Sequence, residues 1–394
     1  MTLLLDSIFL SIAFGHLLVD LLGSQRSILF TYIGNQLGMT NAALGLVSTV
    51  YVWVASLSQP LFGWLSDRVG TRWLVAGGVL WMGTFFSLAM FLPGYAALAA
   101  LTFASLGSAA FHPSATAEVT RQGNLRFAGR ETTAASYFFT FGQAAYAFGP
   151  MVGGILLGAF GMRGLLIFAA LALPIGLNAS LRLRPMVVKK TERKSARLKN
   201  GEKRLTVGKS FLFALAFATA FQAWIQQTMN TFIPKYLSDL GQSVAVYGII
   251  TGLYMAGAAV GNILGGNLAD KFGKQRVAAT ALALASLPLF LISRSGWTLW
   301  LYLLVPLAGA LNGSVHSILV VLAQHTIRGG RGLASGLVLG FKFSAGALGM
   351  LLSGVFADLW GFSFVFTMTA GLALSASILI QLLKEPPQEQ TVIS

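Results

Sequence analysis

The chain has no cysteine, so disulfides and thiolate metal sites are excluded. It is also short of charge. Only 10% of its 394 residues are Asp, Glu, Lys or Arg, where a soluble globular domain carries about a quarter. Acids are the scarcest, 12 against 27 Lys and Arg, for a formal net charge of +15. In a soluble protein that imbalance would point to nucleic acid. Here 55% of residues are hydrophobic and mean hydropathy is +0.73, which excludes the soluble class and a nucleic-acid partner with it. No Gly-x-x-x-x-Gly-Lys-[Ser/Thr] run occurs, so no ATP-driven engine is visible. The four histidines are not joined by paired carboxylates at ligand spacing, and no metal, cofactor or clustered catalytic set is expected.

What the chain does have is long apolar runs. A helix needs about 20 mainly apolar residues to cross a bilayer. Twelve runs meet that length, at 6–32, 41–65, 73–92, 95–121, 132–160, 163–181, 209–233, 243–269, 275–293, 297–326, 332–359 and 362–383. The first carries Asp6 and Asp20 and has no small-residue cleavage site after a basic head, so we read it as a span and not a removable leader. The one long gap, Arg182 to Lys209, holds eleven Lys or Arg and two Glu. Its composition suits a cytoplasmic connector resting near anionic lipid. The expected domains are a bundle at 1–181, a basic linker at 182–209 and a bundle at 210–394. With both termini cytoplasmic, the inner side collects 22 of the 27 basic residues, the bias that orients membrane proteins.

The two halves repeat. Gly63-Trp-Leu-Ser-Asp67-Arg68-Val-Gly70-Thr-Arg72 returns as Gly266-Asn-Leu-Ala-Asp270-Lys271-Phe-Gly273-Lys-Gln-Arg276, with Gly63, Asp67, Arg68 and Gly70 each 203 positions before their counterparts. Gly38 and Gly45 match Gly241 and Gly248 at the same offset, and His112 answers His316 at 204. The chain is therefore expected to be an all-α membrane protein, twelve transmembrane helices in two pseudo-symmetric six-helix bundles.

The charged turn resembles the loop 2–3 signature of the major facilitator superfamily. That resemblance implies alternating access about a site at the midplane between halves, with Gly63, Asp67, Arg68, Gly70, Arg72, Asp270, Lys271 and Gly273 forming a cytoplasmic gate. Asp67 is expected at a helix N-terminus, paired with a basic residue. His16-Leu-Leu-Val-Asp20, Phe111-His112-Pro113, Gly336-Leu-Val-Leu-Gly340 and Gly354-Val-Phe-Ala-Asp358 together look like the fosmidomycin-resistance family of efflux proteins. Gly149-Pro150-Met-Val-Gly153-Gly154 is similar to the antiporter signature of proton-driven drug exporters, and is equally what close helix packing would need.

Charges inside spans are costly and mark pathways. His16 and Asp20 are four apart and share a helix face, which suits a proton-binding pair. His112, before Pro113, and Glu118, one turn further on, are further proton-coupling candidates, although Glu118 is as readily an ion-pair partner of Arg121 or Arg68. Lys342 lies too deep to snorkel, so it either faces the cavity or pairs with a carboxylate such as Asp20. Arg26 could add a second cation. Gln222, Gln226 and Asn230 form a polar stripe on helix 7, and Tyr137 and Gln143 could add contacts from helix 5.

The expected function is a proton-coupled secondary exporter of a small anionic or amphipathic molecule, not an enzyme. It is expected to act as a monomer in the cell (inner) membrane, with a small-molecule substrate, protons and the lipid bilayer as its partners. A proton-coupled importer of an organic acid or nutrient, or a lysolipid transporter, fits the same residues.

Overall fold

The computed structural model describes residues 5–126, 131–183, 209–316, 318–319, 322 and 331–382. Nine segments among them are long and apolar enough to cross a membrane. One of these, 340–381, is broken at Gly361, whose φ of 78° interrupts the helix. The helices Lys209–Asp239 and Leu301–Gly313 bring the rods among the described residues to twelve.

In chain order they are α1 Ser7–Gln36, α2 Asn41–Val69, α3 Thr71–Ala89, α4 Gly94–Arg126, α5 Glu131–Phe160 and α6 Met162–Arg182. The second half has α7 Lys209–Asp239, α8 Val244–Phe272, α9 Lys274–Ser295, α10 Leu301–Gly313, α11 over 331–360 and α12 over 362–381. The connector 184–208 lies outside the described residues.

Turns punctuate the rods where left-handed backbone is required. Gly70 and its repeat Gly273 have φ of 88° and 92°, values that a residue with a Cβ rarely adopts. Both glycines follow the helix directly, so Asp67 falls in the last turn of α2 and Asp270 in the last turn of α8. The expectation of a helix N-terminus for Asp67 is therefore corrected. The apolar run ends at 65, but the helix continues to Val69, because backbone hydrogen bonding does not stop where hydrophobicity does. The side chains of Asp67 and Asp270 lie outside the described residues. Of the basic neighbours, the guanidinium of Arg68 sits 3.8 Å over the Trp64 ring and that of Arg72 4.7 Å over Trp73.

Below that turn, one carboxylate fastens α3 to α4. Glu118 accepts from Thr71 Oγ1 at 2.9 Å, from Arg121 at 3.1 and 2.5 Å, and from Gln122 at 2.7 Å. Its side chain is 2% exposed. Of the two partners considered, Arg121 is the one it meets here, and four accepted hydrogen bonds leave the carboxylate little further acceptor capacity.

The halves meet through α2 against α11 and α5 against α8. Both contacts tighten toward the face opposite the termini, called the far face here. Gly154 and Gly248 touch backbone to backbone: a Cβ on Gly154 would lie 2.9 Å from Gly248 Cα, and one on Gly248 2.8 Å from Gly154 Cα. Any larger residue would prise α5 from α8. At the start of α2, the amides of Asn41 and Ala42 donate to the two carboxylate oxygens of Asp358 on α11, at 2.8 and 2.7 Å. Asp358 thus caps a helix of the other half. Thr49 donates to Ala347 O at 2.8 Å, and Asn35 at the end of α1 donates to Ser238 at the end of α7 at 2.7 Å. The far face is closed.

Two outcomes follow. Asn35→Cys with Ser238→Cys should form a disulfide on mild oxidation, the only one possible in a chain without native cysteine. Trypsin digestion at the basic connector, followed by non-reducing electrophoresis, should then leave the halves joined; separate halves would contradict a closed far face. Glu118→Ala should lower thermal stability by about 3 kcal/mol, because it takes the acceptor from the buried donors of Gln122 and Thr71 and breaks the ion pair with Arg121. Ligand-binding affinity should stay unchanged, as ligand titration by fluorescence would report.

Candidate functional site

Between the halves, the described interior is built from α1, α4 and α5 on one side and α7, α10 and α11 on the other. Asp20 is at its centre. His16, one turn earlier on α1, brings its Nε2 to 3.1 Å from Asp20 Oδ2. His112 on α4 brings its Nε2 to 3.1 Å from the other oxygen, Oδ1. The far nitrogen of each ring is fixed by backbone: His16 Nδ1 lies 2.8 Å from Phe138 O on α5, and His112 Nδ1 lies 2.8 Å from Ser108 O on its own helix.

Packing holds the rings in register. The Phe138 ring stacks on His16 with centroids 3.9 Å apart, and His16 and His112 meet edge to face at 5.1 Å. A Cβ on Gly142 would run into the Asp20 carboxylate and the His16 ring, so only glycine lets α5 lie this close. His16 is sealed, at 3% side-chain exposure, whereas His112 is 24% exposed and is the more open ring. Pro113 sits inside α4 without ending it.

The i, i+4 pair of α1 was legible from spacing; His112 was a candidate as well, but its contact with Asp20 was not legible, because it comes from another helix. The nitrogen and carboxylate atoms lie within 4.8 Å of one another. A divalent ion could bridge such a trio, which spacing along the sequence did not reveal. Both gaps are at hydrogen-bond length, and we read them as filled by protons.

Lys342 does not pair with Asp20 here. It is buried, at 2% exposure, and its ammonium donates to His316 Nδ1 on the α10 side at 2.5 Å. Of the two placements expected for Lys342, pairing with Asp20 is not the one seen here: both oxygens of Asp20 face histidines of its own half. His316 was noticed in the sequence only as the counterpart of His112.

Arg26 is buried at 8% exposure rather than snorkelling at a rim. Its guanidinium donates to Gln227 Oε1 at 3.3 Å, lies 3.9 Å from Met350 Sδ and sits 5.5 Å over the Tyr51 ring. Among the described residues, no carboxylate comes within 4.0 Å of either cation.

The polar stripe of α7 does face protein. Gln222 donates to Asn312 O at 3.1 Å and to Gln226 Oε1 at 3.4 Å, and Asn312 Nδ2 reaches Gln226 Oε1 and Tyr254 OH, both at 3.4 Å. Asn230 is buried on the same stripe. Asn312 and Tyr254 were missed, since neither carries charge. Tyr137 is exposed and Gln143 half-buried on α5, and neither touches the Asp20 cluster.

The Gly149–Gly154 stretch makes room for α1 and α8. A Cβ on Gly149 would strike Ser24, one on Gly153 would strike Gln25, and Gly154 meets α8 as described. All three are close packing contacts, and they set the two helices that flank the site. Pro150 lies inside α5, with its carbonyl against Gly248.

Comparison with known proteins finds membrane transporters of similar sequence and fold. The chain is 24% identical over 386 residues to the fosmidomycin resistance protein of Escherichia coli, covering 94% of this chain and 91% of that protein. It is 25% identical over 378 residues to a gentisate transporter of Corynebacterium glutamicum, covering 89% and 82%. It is 26% identical over 365 residues to the multidrug resistance protein MdtG of Citrobacter koseri, covering 87% and 86%. Among solved structures, a bacterial homologue of the human lysosomal transporter Spinster, in an inward-facing and occupied conformation, superposes with a TM-score of 0.81 at 14% identity, covering 97% of each chain. The nucleoside transporter NupG gives 0.73 at 17% identity, covering 96% of this chain and 99% of that one. The family model described as Major Facilitator Superfamily matches residues 12–241 and 212–393, and the chain belongs to that superfamily of multi-pass membrane transporters.

Proposed function

We propose that the chain is a proton-coupled exporter of a small organic anion, working by alternating access. The observation that carries this reading is the pair of buried cations, Lys342 and Arg26, with no acidic partner among the described residues. A charge at the bilayer centre costs about 2.5–3.5 kcal/mol on insertion scales. Such a cost is tolerated where a ligand or water supplies what the protein does not. The charge of Asp20 is met by histidines, so an anionic substrate would provide the missing counter-charge.

In this reading the chain divides into bundles at 1–181 and 210–394, joined by the basic segment 182–209, and acts as a monomer. The basic bias puts both termini in the cytoplasm of an inner-membrane protein, which makes the far face the outer one and the present state inward-facing. Substrate then enters from the cytoplasm and draws Lys342 away from His316. Protons taken up at the Asp20 cluster from outside drive the return. The turns Gly63–Arg72 and Gly266–Arg276 latch the inner side when the outer side opens. Export is favoured over import because the relatives include proteins named for resistance to fosmidomycin and to multiple drugs.

The test is flux in liposomes containing the purified chain, with fosmidomycin and gentisate as probes and a pH gradient imposed in either sense. A ligand that binds should first raise the melting temperature. Lys342→Ala should cut flux at least about tenfold, the equivalent of about 1.4 kcal/mol in transition-state terms, and Lys342→Arg should recover part of it. If Lys342→Ala and Asp20→Asn both transported at the unmodified rate, the reading would be wrong. Accumulation in the opposite sense would turn the exporter into an importer.

A further inference from the structure

We propose that the His16–Asp20–His112 cluster holds two exchangeable protons in this state. The inference rests on the reading that this cluster exchanges protons, and it adds their number.

The count follows from donors and acceptors. A backbone carbonyl oxygen can only accept a hydrogen bond, and a neutral imidazole has one N–H to give. His16 Nδ1 is 2.8 Å from Phe138 O, and His112 Nδ1 is 2.8 Å from Ser108 O. The Ser108 hydroxyl, 3.1 Å from His112 Nδ1, could donate to a bare nitrogen, but the carbonyl is nearer and tolerates only an N–H there. Both Nδ1 atoms therefore carry hydrogen, and each neutral ring would have spent its only one. Yet both Nε2 atoms face a carboxylate oxygen at 3.1 Å. An ionised carboxylate is also an acceptor only. Two lone pairs at that distance repel, so each gap requires a proton of its own.

The number does not depend on which side of a gap the proton sits. Two imidazoliums around a carboxylate hold two. One imidazolium and one neutral imidazole around a carboxylic acid also hold two. The cluster carries a charge of +1 when loaded and −1 when empty, and the bilayer interior makes either state sensitive to what else is nearby.

The surroundings offer no other base. From α1 comes Arg26, six residues beyond Asp20. Tyr51 of α2 and Tyr146 of α5 are within electrostatic reach of both Asp20 and Arg26. The remaining neighbours are the Phe138 and Phe111 rings and the hydroxyl of Ser108, 3.1 Å from His112 Nδ1. Among the described residues none is a second carboxylate.

The proton in the His112 gap therefore ties α4 to α1, while the Nδ1–H of His16 holds α1 to α5 in either state. His16 and Asp20 belong to α1, the Phe138 carbonyl to α5 and His112 to α4. With both protons gone, α1 and α4 would confront each other through lone pairs. His112, the exposed ring, would be the one to leave.

The test uses the full chain in lipid nanodiscs, labelled with ¹⁵N-histidine and held in this state by the Asn35→Cys/Ser238→Cys disulfide. With four histidines in the chain, ring nitrogen signals can be assigned by substitution while the pH is raised. The expected result is that His16 and His112 both keep Nδ1–H and that the cluster loses two protons in all. His112→Gln should leave one titrating proton. Asp20→Asn should also leave one, because an amide donates across one gap and accepts across the other. His316→Gln should leave both. A neutral tautomer with hydrogen on Nε2, or loss of a single proton from the unmodified cluster, would overturn the proposal. If two protons titrate but flux ignores the pH gradient, the coupling reading fails and the count stands. If flux follows the gradient but one proton titrates, the count fails alone.

Discussion

Everything near the centre of this molecule depends on how a carboxylate is kept in a medium that disfavours it. Asp20 is not matched to a cation of fixed charge. It is matched to two imidazoles whose charge is set by protons, each ring anchored through its other nitrogen to a main-chain carbonyl. That choice leaves the interior's basic side chains, Lys342 and Arg26, without acidic partners among the described residues. A direct Asp20–Lys342 pair would have satisfied both and left nothing for a substrate to complete.

The arrangement also explains the packing around it. Glycine occurs where a helix must come close to the cluster or to the opposite half: Gly142 beside Asp20, and Gly154 against Gly248. In lipid, helices associate through such close contacts and through hydrogen bonds, because no hydrophobic driving force separates them from the solvent. The far face shows both means at once. Backbone contact between α5 and α8 is combined with hydrogen bonds from α2 to α11 and from α1 to α7.

Much of the fold was legible because the bilayer imposes one length and one composition on every rod. The breaks at Gly70, Gly161, Gly273, Gly296 and Gly361 all have positive φ and all fall in gaps between apolar runs. Helix ends were less legible. α7 runs to Asp239 and not 233, since beyond the hydrocarbon a helix can continue on polar residues. At the site, contacts within one helix could be read off, as with His16–Asp20 and Glu118–Arg121. Contacts between helices could not: His112 with Asp20, Lys342 with His316 and Asp358 with the start of α2 each require knowing which helices are neighbours. Charge alone misled at Lys342, because the natural guess for an ammonium is a carboxylate and its partner is an uncharged ring.

Arg26 has a consequence for the substrate's escape. Its guanidinium is spent on Gln227 and Met350, across the seam between halves. In the proposed cycle, opening the far face would undo those contacts and uncover a charge that is buried in this state. The cation would then be offered to solutes on one side of the membrane and hidden from the other, and the protein's grip on an anion would differ between its two orientations. A carrier with that asymmetry behaves as a rectifier. Its preferred direction would be written partly in which rim owns the arginine, and not only in the gradient that powers it.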